Sequence, residues 1–226
     1  MMDGVYYEPM EKRVSMFNNR PNECVKLPDG REIWLSRSSA VVVTIIIRDR
    51  HGDYKCLLVK RGPGCPDEVG RWVLPCGYVD WDETLGKAAL RELFEETGVD
   101  FAEFHRENEE RVVMDSFVDG QPWHVNSSPS DGKQNISNYF GAYIEFGPYD
   151  YHLPELTSCH CEKDEVAELK WVDLKDLWTY DLGFNHDKRI PMYMQYIKAN
   201  DSIWDIFTRK VNRTLERITN FFRYMQ

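Results

Sequence analysis

The chain has 226 residues, of which 42% are hydrophobic, and it carries a formal net charge of −10 at pH 7. This hydrophobic content is sufficient for a folded core and excludes a wholly disordered chain. The negative charge excludes attraction of nucleic acid or phosphate through the overall field, so a phosphate-bearing ligand would need local cations or a bridging metal.

The N-terminal part of the chain predicts an irregular extension followed by strands. Residues 1–39 contain turn-forming proline, asparagine and glycine residues and one short strand pattern, at 31–36. Residues 40–47 form an apolar run interrupted by a single threonine, which predicts a buried strand. A turn leads to a second strand over residues 54–61, and a loop then leads to a brief strand at 71–75.

The rest of the chain predicts a central helix, further strands and C-terminal helices. The central helix is expected over residues 84–97, and Gly98 suits the left-handed conformation that commonly ends a helix. Residues 119–136 are polar and rich in Gly, Pro, Ser and Asn, which predicts a long loop that shapes a binding site. The remaining predicted elements are strands at 111–118, 137–146 and 166–172 and helices at 174–178, 187–198 and 201–223.

The last predicted helix has an apolar stripe formed by Ile203, Phe207, Val211, Leu215, Ile218 and Phe222. Such a stripe packs on its own domain or on a second copy of the chain, so a homodimer is one expected state. The basic residues of this segment leave attachment to an anionic membrane surface as the less favoured alternative. We therefore divide the chain into an N-terminal extension (1–39), a central domain (40–200) and an amphipathic C-terminal helix (201–226).

The predicted central helix carries three glutamates on one face. Glu92, Glu95 and Glu96 occupy relative positions 0, 3 and 4, which are neighbours on a helix surface. No lysine follows any of them at i+4, so the helix itself does not offset their repulsion. Because hard divalent cations take oxygen ligands, these carboxylates predict a metal site.

The stretch 77–99 resembles the Nudix box, the signature of the Nudix hydrolases. That pattern runs Gly, five residues, Glu, seven residues, Arg-Glu, an aliphatic, any residue, Glu-Glu, any residue, Gly and an aliphatic. A coincidental match in a charged amphipathic helix is the alternative, but nine filled positions argue against it. The matching residues are Gly77, Glu83, Arg91, Glu92, Leu93, Glu95, Glu96, Gly98 and Val99. The resemblance implies an α/β fold with a mixed (α+β) sheet, a Nudix-type α/β/α sandwich, here with extra C-terminal helices.

The resemblance also implies a reaction, the hydrolysis of a pyrophosphate linkage in a nucleoside diphosphate joined to another group. It implies that Mg²⁺, or Mn²⁺ in its place, is bound by Glu92, Glu95, Glu96 and the backbone carbonyl of Cys76. It further implies that Arg91 pairs with Glu83 and holds the loop of the box to its helix.

The general base of such enzymes often comes from a later loop. Asp164, Glu165 and Glu168 all lie in the matching region, and we favour Glu165 over Glu168 because Glu165 lies in the predicted loop whereas Glu168 lies within the predicted strand. A solvated acidic patch is the alternative interpretation of these residues. The predicted catalytic set is Glu92, Glu95, Arg91, Glu83 and Glu165.

Three residues outside the box are candidates for substrate binding. Arg61 and Arg71 flank the approach to the box and suit phosphate, and Trp123 suits stacking on a base, although solvated charge and core packing are the alternatives. Residues 184–190 resemble a segment of ADP-ribose-type Nudix proteins and of related regulators, which favours ADP-ribose or a sugar nucleotide. A nucleoside triphosphate pyrophosphohydrolase and a non-catalytic ligand-sensing regulator stay as alternatives.

The ligand is therefore expected to be a small molecule linked to a nucleoside diphosphate, with neither nucleic acid nor a membrane as a partner. No secretory signal is apparent near the start, and six cysteines are scattered along the chain, so a cytoplasmic location is expected. The sequence Cys159-His160-Cys161 suggests a metal site, but it lacks the second ligand pair that a structural zinc site needs.

Overall fold

The computed structural model describes residues 23–35, 39–117, 119–130, 133–146, 152–158 and 160–200. The chain divides into two compact units, residues 1–187 and residues 188–226. The predicted C-terminal helix over 201–223 and most of the predicted N-terminal extension lie outside the described residues.

A mixed eight-stranded sheet forms the centre of the first unit. Its strands are β3 (Ser39–Arg48), β4 (Tyr54–Arg61), β5 (Trp72–Val73), β6 (Cys76–Tyr78), β7 (Val112–Asp115), β8 (His124–Ser130), β9 (Lys133–Glu145) and β10 (Val166–Asp173), preceded by a separate hairpin of β1 (Glu23–Lys26) and β2 (Glu32–Leu35). The main strand order is β10-β4-β3-β9-β7, and β5, β6 and β8 pair with β4, β3 and β9 respectively. The β3–β9 pair is parallel and the other pairs are antiparallel.

The predicted central helix is present as α1 (Leu85–Thr97), and it packs against one face of this sheet. Thr84 caps its start by accepting a hydrogen bond from the backbone N–H of Lys87 at 3.4 Å. Gly98 ends it in the left-handed region at φ 73°, as predicted. Alternate residues of β3 join the apolar residues of α1 in one buried core: Val41, Val43, Ile45 and Ile47 from the strand and Leu90, Leu93 and Phe94 from the helix.

The prediction of a long loop over residues 119–136 is wrong. Residues 124–130 and 133–136 belong to β8 and β9, which pair from His124↔Tyr139 to Ser130↔Lys133. Val125 and Ile136 are exposed on this ladder. Because residues 124–127 of β8 are half-buried or exposed, this part of the strand lacks the apolar alternation on which strand prediction depends.

Smaller differences concern the lengths and types of elements. A second helix, α2 (Phe101–Glu107), was not predicted, although Asp100 caps it by accepting from the N–H groups of Ala102 and Glu103. The short helix predicted at 174–178 is present as a 3₁₀-helix over residues 174–179, and residues 186–200 are helical, close to the predicted 187–198. Within the described residues, no helix combines the length and apolar character needed to cross a membrane.

Candidate active site

Arg91 is the centre of a buried ion-pair cluster that joins α1 to the preceding loop. Its Nε and Nη2 donate to Oε1 and Oε2 of Glu83 at 2.9 and 3.0 Å, so the predicted Arg91–Glu83 pair is confirmed. Its Nη2 also donates to the carbonyl of Tyr78 at 3.0 Å, and its Nη1 donates to Glu92 Oε1 at 2.8 Å and to Glu95 Oε2 at 2.9 Å. The fork of the guanidinium therefore ties one helix face to β6 and to the loop that follows it.

The loop between β6 and α1 is itself fixed by this cluster. The backbone N–H of Asp80 donates to Glu83 Oε2 at 3.1 Å, and the buried Asp80 carboxylate lies 3.9 Å from Arg91 Nε. Sequence reasoning did not select Asp80 or the carbonyl of Tyr78. Their signal was only their position within the box, at places where the family pattern admits any residue.

Gly77 allows β6 to lie close to the Glu92 carboxylate. A Cβ atom at this position would lie 2.2 Å from both Cδ and Oε1 of Glu92, so any other residue would displace this carboxylate from its contact with Arg91. One residue earlier, the backbone N–H of Cys76 donates to Glu96 Oε2 at 3.0 Å. Residues 76 and 77 thus bring backbone against two of the three predicted metal-binding glutamates.

The carboxylates of this site are buried and repel one another. Burial raises the pKa of Glu92 to about 7, with repulsion from Glu95 and Glu165 adding to the shift and Arg91 opposing it. Burial likewise raises the pKa of Glu96 well above its ordinary value, and repulsion from Glu92 and Glu165 adds to it. Burial also raises the pKa values of Glu95 and Glu165. The site therefore concentrates negative charge that the protein compensates only in part.

Glu165, not Glu168, contributes to this field. Glu165 lies immediately before β10, whereas Glu168 lies on β10 with its side chain 52% exposed and 3.5 Å from Lys60. The structure thus places the loop glutamate beside the glutamates of α1, although its role as a base stays a prediction.

The donor set of the site fits a hard divalent cation, because Glu92, Glu95 and Glu96 supply only oxygen and their repulsion would be relieved by positive charge. Among the described residues, however, no three histidine, cysteine, aspartate or glutamate side chains converge closely enough to enclose a metal ion. Arg91 instead binds the carboxylates of Glu92 and Glu95. A change in the contacts of these two glutamates would therefore accompany metal binding.

The predicted substrate-binding residues lie in three different environments. Arg61 is buried, donates to the carbonyl and carboxylate of Asp67 at 2.9 and 3.0 Å, and favours the charged form of Glu96 electrostatically. Arg71 binds Asp181 Oδ1 at 2.8 Å and also contacts Glu68. The centroid of the Trp123 ring lies 5.9 Å from that of the Tyr139 ring, and Trp123 immediately precedes β8. Only Arg61 has a described electrostatic interaction with the site glutamates, and the binding role of each stays a prediction.

Comparisons with known proteins agree with the geometry. The model of the NUDIX domain matches residues 38–193. An RNA pyrophosphohydrolase from Wolbachia pipientis subsp. Culex pipiens is 30% identical over 142 residues, which cover 62% of this chain and 82% of that protein. The m7GpppN-mRNA hydrolase NUDT17 of Danio rerio is 37% identical over 81 residues, which cover 36% of this chain but only 25% of that protein.

Solved structures share the fold. The bifunctional NMN adenylyltransferase/ADP ribose pyrophosphatase of Francisella tularensis, complexed with AMP and a Mn ion, has a TM-score of 0.51 at 23% identity, covering 70% of this chain and 41% of that one. The Nudix hydrolase RenU of M. smegmatis has a TM-score of 0.50 at 19% identity, covering 79% and 95%. The chain therefore belongs to the NUDIX family of pyrophosphate-bond hydrolases.

Proposed function

We propose that this chain hydrolyses a pyrophosphate bond in a nucleoside diphosphate joined to a small group, with Mg²⁺, or Mn²⁺ in its place, as the cofactor. The observation that supports this proposal best is the set of buried glutamates with raised pKa values at residues 92, 95, 96 and 165. Buried carboxylates that repel one another lower the stability of the folded state unless a cation compensates them. Such a cluster is therefore more typical of a functional site than of a structural one.

Each residue of the cluster has a distinct proposed role. Glu92, Glu95, Glu96 and the carbonyl of Cys76 would hold the metal, which when bound neutralises phosphate oxygens and acidifies a bound water. Glu165 would accept the proton of the attacking water, because its raised pKa brings it closer to the pH at which a base works well. Arg91 and Glu83 would hold the β6–α1 loop in place, and Arg61 would face the phosphates.

Within this class we favour ADP-ribose or a sugar nucleotide as the substrate. The support is the segment 184–190, which resembles ADP-ribose-type members of the family. This segment follows Gly183, whose N–H donates to the carbonyl of Trp72 at 2.9 Å, and His186 Nδ1 accepts from the N–H of Leu74 at 2.9 Å. His186 and the preceding Gly183 are therefore attached to β5 and to Leu74, which follows it and leads into the box.

The 5′ end of an RNA is the second candidate substrate. The specific observation in its favour is that both curated relatives act on RNA, as an RNA pyrophosphohydrolase and as an m7GpppN-mRNA hydrolase. The net charge of −10 opposes binding of a long polyanion. A short 5′ end whose phosphates reach the site would still be compatible with it.

A substrate panel separates these candidates. The full chain would be incubated with Mg²⁺ or with EDTA, and products would be identified by chromatography. The panel would contain ADP-ribose, sugar nucleotides, NADH, diadenosine polyphosphates, all nucleoside triphosphates, and capped and triphosphorylated short RNA. We expect the highest kcat/KM for ADP-ribose or a sugar nucleotide. The nucleotide product would be AMP from ADP-ribose, or the corresponding nucleoside monophosphate from a sugar nucleotide. Highest activity on RNA would favour the second candidate, and tight binding without turnover would favour a ligand-sensing regulator.

A further inference from the structure

Two residues that precede Glu165 in the chain, Thr157 and His160, contact helix α1. At the C-terminal end of the helix, the N–H of Thr157 donates to the carbonyl of Thr97 at 2.9 Å. One helical turn earlier, the imidazole of His160 stacks on the ring of Phe94, with 4.4 Å between ring centroids and 24° between ring planes. The segment therefore runs back along the helix, from its end towards Glu92.

The same segment is attached at its other end to the loop after β4. The N–H of Gly62 donates to the carbonyl of Glu165 at 2.6 Å, and the N–H of Gly64 donates to that of Asp164 at 2.8 Å. A Cβ at Gly62 would lie 2.1 Å from the Asp164 oxygen, so this approach requires glycine. The thiol of Cys65 adds a 3.2 Å contact to the Glu165 carbonyl.

Glu165 needs such attachment because electrostatics act to expel it. Burial raises the pKa of Glu165 and repulsion from Glu162 adds to the shift, although Arg61 and Arg91 oppose it, and the charge of Glu165 in turn raises the pKa values of Glu92 and Glu96. Its Oε2 accepts a 3.2 Å hydrogen bond from the N–H of Glu162. An unattached loop would relieve the repulsion by moving Glu165 into solvent.

We propose that His160 is a positioning residue that holds Glu165 at the site by stacking on Phe94. This inference rests on the proposed function, since it assumes that Glu165 acts in the reaction. His160 is exposed as a residue, and the stack on Phe94 is the contact described for its ring. The thiol of Cys161 donates to the carbonyl of Ser158 at 2.9 Å, a local bond that further shapes the turn before Glu165.

The stack gives His160, the central residue of the Cys159-His160-Cys161 sequence, a role in packing against helix α1. A flat ring covers the face of Phe94, which lies on α1 between Leu93 and the metal-site glutamate Glu95. Removal of the ring would free residues 160–163, including the N–H of Glu162 that holds the Glu165 carboxylate, while leaving the backbone of residues 164 and 165 attached to the glycine loop. The fraction of molecules with Glu165 in place would then fall, and kcat would fall with it.

The experiment compares His160→Ala with His160→Phe in the full chain, each also combined with Glu165→Gln. We expect His160→Ala to lower kcat about three- to tenfold, the range that corresponds to loss of an aromatic stack, with KM nearly unchanged. His160→Phe keeps a stacking ring and should restore kcat to within about twofold of the wild type by the same argument. In the Glu165→Gln background, His160→Ala should cause no further loss, because its effect passes through Glu165.

Hydrogen exchange provides a readout that does not depend on turnover. Amides of residues 160–165 should exchange faster in His160→Ala than in the wild type, and those of β3 should not change. Unchanged exchange at 160–165, a wild-type kcat in His160→Ala, or an equal further loss in the Glu165→Gln background would each overturn the role of His160. The proposed function would instead be overturned if the wild type turned over no substrate of the panel, or if Glu165→Gln were fully active. In either case hydrogen exchange would still decide whether His160 anchors residues 160–165.

Discussion

Arg91 and Glu96 are two buried charged residues of helix α1 whose charges are compensated to different degrees. Arg91 is surrounded by Glu83, Glu92 and Glu95, and although burial alone would lower its pKa, these carboxylates outweigh burial and raise it. Glu96 is 2% exposed and accepts one described hydrogen bond, from the N–H of Cys76, while Arg61 offsets only part of the repulsion on it. The contacts of Arg91, the compensated side of this comparison, hold the β6–α1 loop in place, whereas Glu96, the uncompensated side, belongs to the metal site proposed above.

The largest effect should come from breaking the compensated side. Arg91→Ala leaves buried carboxylates without their partner and should lower the free energy of unfolding by roughly 3–5 kcal/mol. The double variant with Glu83→Ala should lose less than the sum of the two single variants, because the pair acts as a unit. Urea unfolding monitored by circular dichroism would measure each value.

The matched control for this comparison is Arg31→Ala. Arg31 pairs with Asp29 at 2.8 Å, but its side chain is 73% exposed. Its loss should therefore change the free energy of unfolding by less than about 1 kcal/mol. Equal losses in Arg31→Ala and Arg91→Ala, or additive losses for Arg91→Ala and Glu83→Ala, would show that the buried cluster is not the structural unit described above.

The next effect concerns catalysis on the uncompensated side. Glu96→Gln keeps the shape of the side chain and an oxygen that accepts from Cys76, but it removes the charge that would bind metal. We expect kcat on the best substrate to fall by about a hundredfold or more, while the fold is retained. Glu168→Gln is the control, since Glu168 is an exposed glutamate of β10, and its kcat should match the wild type. A Glu96→Gln enzyme within threefold of the wild type would contradict the proposed metal site.

The smallest effect is a pH dependence of stability in the absence of metal. Burial raises the pKa of Glu92 from its ordinary value of 4.5 to about 7, so the folded state binds this proton more tightly than the unfolded state. The resulting stability is fully present below about pH 4.5 and is lost as the pH rises through about 7. The melting temperature of the EDTA-treated protein should therefore fall over this window.

Glu96→Gln and added Mg²⁺ should both reduce the fall in melting temperature with rising pH. The substitution removes a negative charge next to Glu92, and the cation compensates the negative charges of both glutamates. Near pH 8, Glu96→Gln without metal should melt a few degrees higher than the wild type, because about 1 kcal/mol corresponds to about 2–4 °C in a domain of this size. Differential scanning fluorimetry across the pH range would test this. A wild-type melting temperature that rises between pH 5 and pH 7 without metal would have the wrong sign for buried, repelling carboxylates.

The sequence by itself determined the features that depend on local periodicity. The bounds of α1, its exit at Gly98 and the buried strand β3 follow from residue spacing within one element. In each of these cases the physical cause, the spacing of residues within one element, can be read from neighbouring residues. The Arg91–Glu83 pair was expected from the resemblance to the Nudix box and not from spacing alone.

Only the tertiary structure decided which distant groups meet α1. The approach of Glu165 depends on its attachment to Gly62, about a hundred positions earlier in the chain, and the strand β8 depends on pairing with β9 rather than on its own apolar pattern. The stack of His160 on Phe94 likewise joins residues with no shared local signal. Long-range hydrogen bonds and stacking form only after the chain has folded back on itself, so no local pattern of residues encodes them.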